Sequence, residues 1–264
     1  MPVIRAASPD QDFTLEHYRE ILETIKRTHR TMSFRDAHEL GERILDQSRF
    51  VIMRHDIEFS LPWALKLAEL DAECGIQATF FLLQTSEYNP FEEDQALIIR
   101  RILDLGHDIG LHYDAGLFER LGVDATKVAE QQIALFQDFF DTRIYAMSSH
   151  MPMRSGKTFN VPGVIDTYDP LYLTKIKYVS DSVQAWREGC VSELLEQYPQ
   201  IHLLIHEYTW SEVGSGWEAN LLLQAKDHMN AFWRRSTDRI SMYREGLTLR
   251  AAKDAEFKKR FMDG

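Results

Sequence analysis

Cysteine is scarce in this chain. Its 264 residues include only Cys74 and Cys190, far apart in sequence. A disulfide framework is therefore not expected, and neither cysteine belongs to a Cys-x-x-Cys pair of the kind that holds structural zinc. A reducing, cytoplasmic setting fits that usage. Basic charge is also in short supply: 30 Lys and Arg stand against 41 Asp and Glu, for a net charge of −11. A general nucleic-acid surface would need a basic stripe, so nucleic acid is not an expected partner. No apolar run approaches the ~20 residues that cross a bilayer, and no membrane span is expected. No charged start, apolar run and cleavage site follow one another, so a secretory signal is not expected either. The chain also lacks a Gly-x-Gly-x-x-Gly after its first predicted strand and a Gly-x-x-x-x-Gly-Lys anywhere. Dinucleotide and phosphate-loop readings are thereby unsupported.

What is present is an ordinary globular balance, with 44% hydrophobic and 27% charged residues. Two helices are predicted first. Thr14 caps one that carries Tyr18, Ile21, Leu22 and Ile25 at helical spacing, and Ser33 caps a second over Phe34–Asp46. Strands and helices then alternate. Strands are predicted at Phe50–Ile57, Ala78–Leu83, Asp108–Tyr113, Ile144–Ser149, Val164–Tyr168, Tyr178–Ser182 and His202–His206. Helices are predicted over Pro62–Cys74, Phe91–Leu105, Asp124–Phe140 and Val191–Tyr198, and a long one over Glu218–Arg244 either closes the barrel or breaks in two. The alternation implies parallel βαβ units. The expected fold is α/β, a distorted (β/α) barrel of about seven parallel strands with N-terminal helices; an open doubly wound sheet is the rival. The expected organisation is a single domain: a helical extension over 1–48, a barrel core over 49–210 and a helical segment over 211–264.

Four of the apolar strands end in groups that bind metals or move protons: Arg54-His55-Asp56-Ile57-Glu58, His107-Asp108-Ile109-Gly110-Leu111-His112, Ser148-Ser149-His150 and Ile205-His206-Glu207. The C-terminal ends of barrel strands converge on one mouth, where such enzymes keep their chemistry. Side chains alternate along a strand, so Arg54, Asp56 and Glu58 share a face while His55 lies opposite. Two carboxylates two residues apart suit one metal ligand and one free base; a solvated acidic turn before the Pro62 helix is the competing reading. His112 is the better ligand candidate on its strand, and His107 is read as structural. His150 is either a ligand or a turn histidine. His206 sits on a strongly apolar strand and needs a partner or a purpose. His202, at the other end of that strand, is expected at the surface. Asp166, Asp169 and Asp181 lie near strand ends, where they could orient ligand histidines or cap helices. Trp210, next to His206, is the aromatic residue best placed to stack on a sugar.

These segments resemble the polysaccharide deacetylases, the NodB-homology carbohydrate esterases. The resemblance rests on Arg54-His55-Asp56-Ile57-Glu58, on Ala78-Thr79-Phe80-Phe81, on Gly106-His107-Asp108-Ile109-Gly110-Leu111-His112 and on Leu204-Ile205-His206. It is closest to a variant subgroup with an Arg-His-Asp-x-Asp start, which Glu58 modifies. A second departure is that the family's next metal histidine falls at Gly116. The resemblance implies the same distorted barrel and a divalent cation, zinc by donor type. It implies hydrolysis of an acetyl group from a sugar, with a nucleotide sugar or glycan of surface-polysaccharide assembly as substrate. Glu58, His112 and His150 would then be metal ligands, Asp56 the base and His206 the acid. Arg54, Asp181 and Trp210 would bind substrate or support those groups. Exchanging His150 and His206 between ligand and acid is a second assignment. Two other readings stay open: hydrolysis of another amide such as a formamide, and a sugar-binding protein without turnover.

Overall fold

A computed structural model describes residues 13–152, 159–187 and 189–261, with side chains up to residue 258. The first twelve residues of the expected N-terminal extension and the last three of the chain lie outside these. The described residues up to Asn220 form one compact unit, and those from Leu221 form a second.

The first unit begins with α1 (Leu15–Thr28), capped by the Thr14 hydroxyl, which accepts from the His17 amide at 3.0 Å. A short strand, β1 (Arg30–Met32), leads into α2 (Phe34–Leu40) and a 3₁₀ turn. Ser33 and Asp36 close a reciprocal cap on α2, satisfying two amides that a helix start leaves bare. Then come β2 (Phe50–Ile57), α3 (Leu61–Glu73), β3 (Thr79–Leu83), α4 (Glu93–Asp104) and β4 (Asp108–Tyr113). They are followed by α5 (Ala115–Leu121), α6 (Ala125–Phe140), β5 (Ala146–Ser149), β6 (Ile165–Asp166), β7 (Lys177–Ser180), α7 (Val191–Gln197) and β8 (Gln200–His206). Seven strands pair in the order β6-β5-β4-β3-β2-β8-β7, and every pairing is parallel. The short β1 pairs with the start of β2. The sheet curls into a partial barrel whose edge strands, β6 and β7, do not pair with each other, so the seam is open.

Every residue of β2 is buried, as expected for a strand covered on both faces. The two faces differ. Val51, Met53 and Ile57 join the layer packed against the helices, with Phe80, Leu82, Ile109, Leu203 and Ile205 from neighbouring strands. Phe50 and Ile52 point the other way, into a second apolar cluster with Phe34, Phe81, Ala146 and Tyr172. That interior cluster fills the N-terminal half of the barrel. Farther along the same face come Arg54 and Asp56. The inner face thus changes from apolar to ionisable along one strand, which confines chemistry to the mouth. Gly110 is required by this packing. A Cβ there would lie 2.5 Å from the Phe81 ring and 3.0 Å from the Ala146 carbonyl oxygen, and overpacking of that kind costs about 1–3 kcal/mol.

His55 faces the helix layer. Its Nε2 lies 2.8 Å from Asp71 of α3, and the Tyr18 hydroxyl of α1 donates to the other Asp71 oxygen at 2.6 Å. This buried chain satisfies polar groups that would otherwise destabilise the layer. His107 is likewise structural, bridging the Ala68 carbonyl and the Ala78 amide.

Three expectations are corrected. His202 is fully buried rather than exposed: β8 starts two residues earlier than expected, at Gln200, and His202 points inward among Phe34, Tyr172 and Tyr178. Burial, aided by the Arg54 charge, pushes its pKa down to about 3, so it stays neutral. The helical pattern after Glu218 neither breaks nor stops at Arg244; it is one helix, α8 (Trp217–Phe261). The segments Arg30–Met32 and Ala115–Leu121, for which no element was expected, are a strand and a helix.

Candidate metal centre

Parallel register brings the strand ends together. Asp56 is paired with His206 across β2 and β8, and His112 with Ser148 across β4 and β5. Glu58 follows β2 and His150 follows β5, so both reach over the mouth. The Glu58 Oε1 atom is 2.9 Å from His150 Nδ1 and 3.5 Å from His112 Nε2. One donor atom from each of Glu58, His112 and His150 lies within 4.8 Å of the others. The two imidazoles stand nearly perpendicular, with ring centroids 5.2 Å apart.

The tautomer of His112 is set by its surroundings. Its Nδ1 is 3.0 Å from the Ser148 carbonyl oxygen, which can only accept, so Nδ1 carries the proton. That leaves a lone pair on Nε2. Among the described residues this buried nitrogen has no hydrogen-bond partner. An orphaned basic nitrogen beside a carboxylate and a second imidazole is what a divalent cation requires, and these three residues fit one. Burial acts to raise the Glu58 pKa, and the neighbouring imidazoles of His112 and His150 act in the opposite sense and lower it whenever they carry a proton toward the carboxylate.

Asp56 sits next to this cluster, its Oδ2 3.8 Å from His112 Nδ1. It is not free. Arg54 Nε donates to Oδ1 at 2.8 Å and Nη2 to Oδ2 at 2.6 Å, a bidentate clamp within one strand. The Ser148 hydroxyl adds a bond of 3.0 Å, and Arg54 also donates to that hydroxyl. Burial acts to raise the Asp56 pKa, yet the guanidinium prevails and keeps the carboxylate ionised well below the ordinary range. Arg54 is itself fully buried, over the rings of Phe81 and Tyr168.

His206 is tied to Asp181 rather than to the three-donor cluster. Its Nδ1 is 2.7 Å from Asp181 Oδ1, and its backbone amide donates to both Asp181 oxygens. Burial acts to lower its pKa, but the Asp181 charge outweighs this and pushes it up to about 9. Asp181 is also held by the Thr209 hydroxyl at 2.5 Å and the Trp210 indole at 2.8 Å. Trp210 therefore presents no face to a sugar: it is 1% exposed and packed among Phe13, Tyr18 and Trp186. Among the described residues Asp166 and Asp169 orient no histidine: Asp166 accepts from the Tyr113 hydroxyl and the Tyr168 amide, and Asp169 from the Leu171 amide. Gly116, where the family pattern has a histidine, lies in the first turn of α5, and the second imidazole beside Glu58 comes from His150 instead.

Glu207 was part of a strand-end group in the sequence but was given no role there. It is fully buried, and its carboxylate accepts from the backbone amides of Glu58 at 3.2 Å, Phe59 at 2.6 Å and Ser60 at 3.0 Å. It thereby fixes the turn that carries Glu58 and leads into α3. Burial raises its pKa to about 7. Its position directly after His206 is the only sequence signal, and a lone glutamate after a strand gives no hint of its partners.

No protein-family model matches this chain, and no curated protein matches it. Solved structures similar to it include a mutant of a CE4-family pseudoenzyme with restored enzymatic activity, at 10% identity and a TM-score of 0.37. That match covers 70% of this chain and 64% of the other, so this chain spans less than two thirds of that protein. The chitin deacetylase of the fungal pathogen Colletotrichum lindemuthianum is similar at 14% identity and a TM-score of 0.37, over 67% of this chain and 81% of the other. A mutant of peptidoglycan deacetylase PdaC from Bacillus subtilis is similar at 12% identity and a TM-score of 0.38, over 75% and 98%.

Proposed function

We propose that this protein is a metal-dependent hydrolase that removes an acetyl group from an acetamido sugar. Its substrate would be a nucleotide sugar or glycan intermediate of surface-polysaccharide assembly, met in the cytoplasm. The observation that carries this reading is the pairing of a three-donor cluster, Glu58, His112 and His150, with two titrating groups driven in opposite directions beside it. Groups pushed apart in this way take opposite roles in acid–base chemistry.

Two histidines and a carboxylate suit zinc, which when bound acidifies water and polarises an acyl carbonyl. Asp56 accepts the proton of the attacking water. The Arg54 clamp makes it a weak base, so it can take a proton only from a water that is already acidified. The same clamp and the Ser148 hydroxyl fix the direction of its oxygens. His206 holds a proton at neutral pH and donates it to the departing amine. Asp181 keeps that proton in place, and Glu207 holds the turn on which Glu58 stands.

The test is metal content together with acetate release. The purified protein should carry about one zinc per chain, and His112→Ala should lose both the zinc and the activity. A protein with no stoichiometric metal, in which Asp56→Ala alters nothing measurable, would overturn the reading.

Asp181→Asn separates the acid role of His206 from a ligand role. With Asp181 charged, the raised His206 pKa gives stability that is full below pH about 6.5 and is lost as pH climbs through about 9. Without that charge, burial is opposed by the weaker pull of Glu58 and Asp56, and the histidine pKa falls. The alkaline limb of kcat/KM should then move down from near 9, with zinc retained. A loss of zinc and activity, with activity restored by added zinc on an unmoved pH profile, would make His206 a ligand.

A further inference from the structure

The helix α8 carries a long apolar stripe. Met229, Phe232, Trp233, Ile240, Tyr243 and Leu247 follow one another at helical spacing, and each is more than half exposed. Ala225 and Ser236 fill the places between them with small side chains. At 3.6 residues per turn these positions share one face.

Charge is sorted around that stripe. Lys226 and Arg244 are eighteen residues apart, about five turns, and lie along one border. Arg239 and Arg250 lie along the other. Asp227, Asp238, Glu245 and Glu256, separated by eleven, seven and eleven residues, stack on the face opposite the stripe. Cations thus flank the apolar surface on both sides, and most of the helix's acidic groups point away from it.

This arrangement disfavours a second copy of the helix as occupant. Two copies packed stripe to stripe bring border against border in either orientation. Every such meeting would be basic against basic, whereas paired helices place opposite charges there. It matches instead a surface with an apolar interior and anionic groups at its edge. Long basic side chains lay their stems along apolar surface and extend their charges into such a boundary, and aromatic rings such as Trp233 and Tyr243 suit the same depth. Among the described residues no helix is long and apolar enough to cross a membrane, so the helix would lie along the surface.

We propose that α8 docks the protein on anionic lipid, stripe down, with Lys226, Arg239, Arg244 and Arg250 at the headgroups. The test is co-sedimentation of the full-length protein with vesicles of phosphatidylcholine alone and with about 30% phosphatidylglycerol. The anionic vesicles should raise the bound fraction about ten-fold or more, and half-molar salt should reverse this. The pair Phe232→Glu and Trp233→Glu should abolish binding to both vesicles. The pair Arg239→Glu and Arg244→Glu should remove only the preference for anionic lipid. All four positions lie on the exposed face or its borders, and an unchanged circular dichroism spectrum verifies the fold. No sedimentation with anionic vesicles overturns the proposal. If the protein also dimerises in lipid-free buffer and Trp233→Glu breaks the dimer, the stripe belongs to a second copy.

Discussion

Asp56→Asn is expected to lower the rate of acetate release by about 10²–10⁴-fold, the range for loss of a positioned base, while zinc content stays the same. The asparagine keeps the shape of the carboxylate and one acceptor for Arg54, but it leaves the buried guanidinium without its counter-charge, so an unchanged circular dichroism spectrum has to accompany the rate measurement. The asparagine cannot take a proton. The three donors Glu58, His112 and His150 are untouched, and a cation held by them would remain. The paired measurement is metal analysis and turnover on the same preparation. If Asp56→Asn releases the zinc, Asp56 is the ligand and Glu58 the base. Their geometry weighs against that exchange: Glu58 Oε1 is 2.9 Å from His150, whereas both Asp56 oxygens are already engaged by Arg54.

Arg54→Leu is expected to cost about 3–5 kcal/mol of folding stability, because it leaves a buried carboxylate without its counter-charge. Both members of this pair are nearly inaccessible to solvent, at 0% and 3% of side-chain exposure, so water cannot replace the guanidinium. The sign with pH follows. In the native protein the Asp56 pKa is depressed, so its contribution is present above the ordinary aspartate range and is lost as pH falls through the folded value. In the variant, burial is opposed by His112 and His206 but no longer by the guanidinium, so that pKa should rise and the penalty should shrink as pH falls and the carboxyl takes up a proton. Thermal melts of the two proteins at pH 4 and pH 7 measure this directly. The double variant Arg54→Leu with Asp56→Leu should recover much of the loss, since it leaves no charge unpaired. A single variant as stable as the parent at pH 7 would mean that Asp56 is solvated rather than clamped.

Much of this arrangement was legible beforehand because it depends on strand period. Phe50–Ile57 alternates so that Arg54 and Asp56 must share a face, and β2 occupies those residues. Thr14 and Ser33 were readable as caps because a short oxygen-bearing side chain before an apolar-periodic run has a local role, and each accepts from an amide three residues on. Partners distant in sequence were not legible. Position near a strand end does not distinguish Asp181 from Asp166 or Asp169; the resemblance singled it out, but its partner came into view only with β7 laid beside β8, where it meets His206. Trp210 read as an exposed stacking surface because proximity to His206 says nothing about which way an indole turns. His202 read as exposed because a strand's first residues usually are, whereas here α2 and the turn at Tyr172 plug that end of the barrel.

The sequence by itself determined the parallel α/β alternation, the inward row of Arg54, Asp56 and Glu58, and the placing of His112, His150 and His206 at strand ends. Period and local capping are properties of neighbours in the chain, and they need no knowledge of the rest. Only the tertiary structure decided which groups work together. It brought His150 rather than His206 beside Glu58, oriented His112 through the Ser148 carbonyl, and tied His206 to Asp181. It also turned Glu207 back onto the turn that holds Glu58. Those choices rest on distances of a few ångströms between residues about 25 to 150 positions apart. The register of the sheet sets such distances, and no local pattern encodes them.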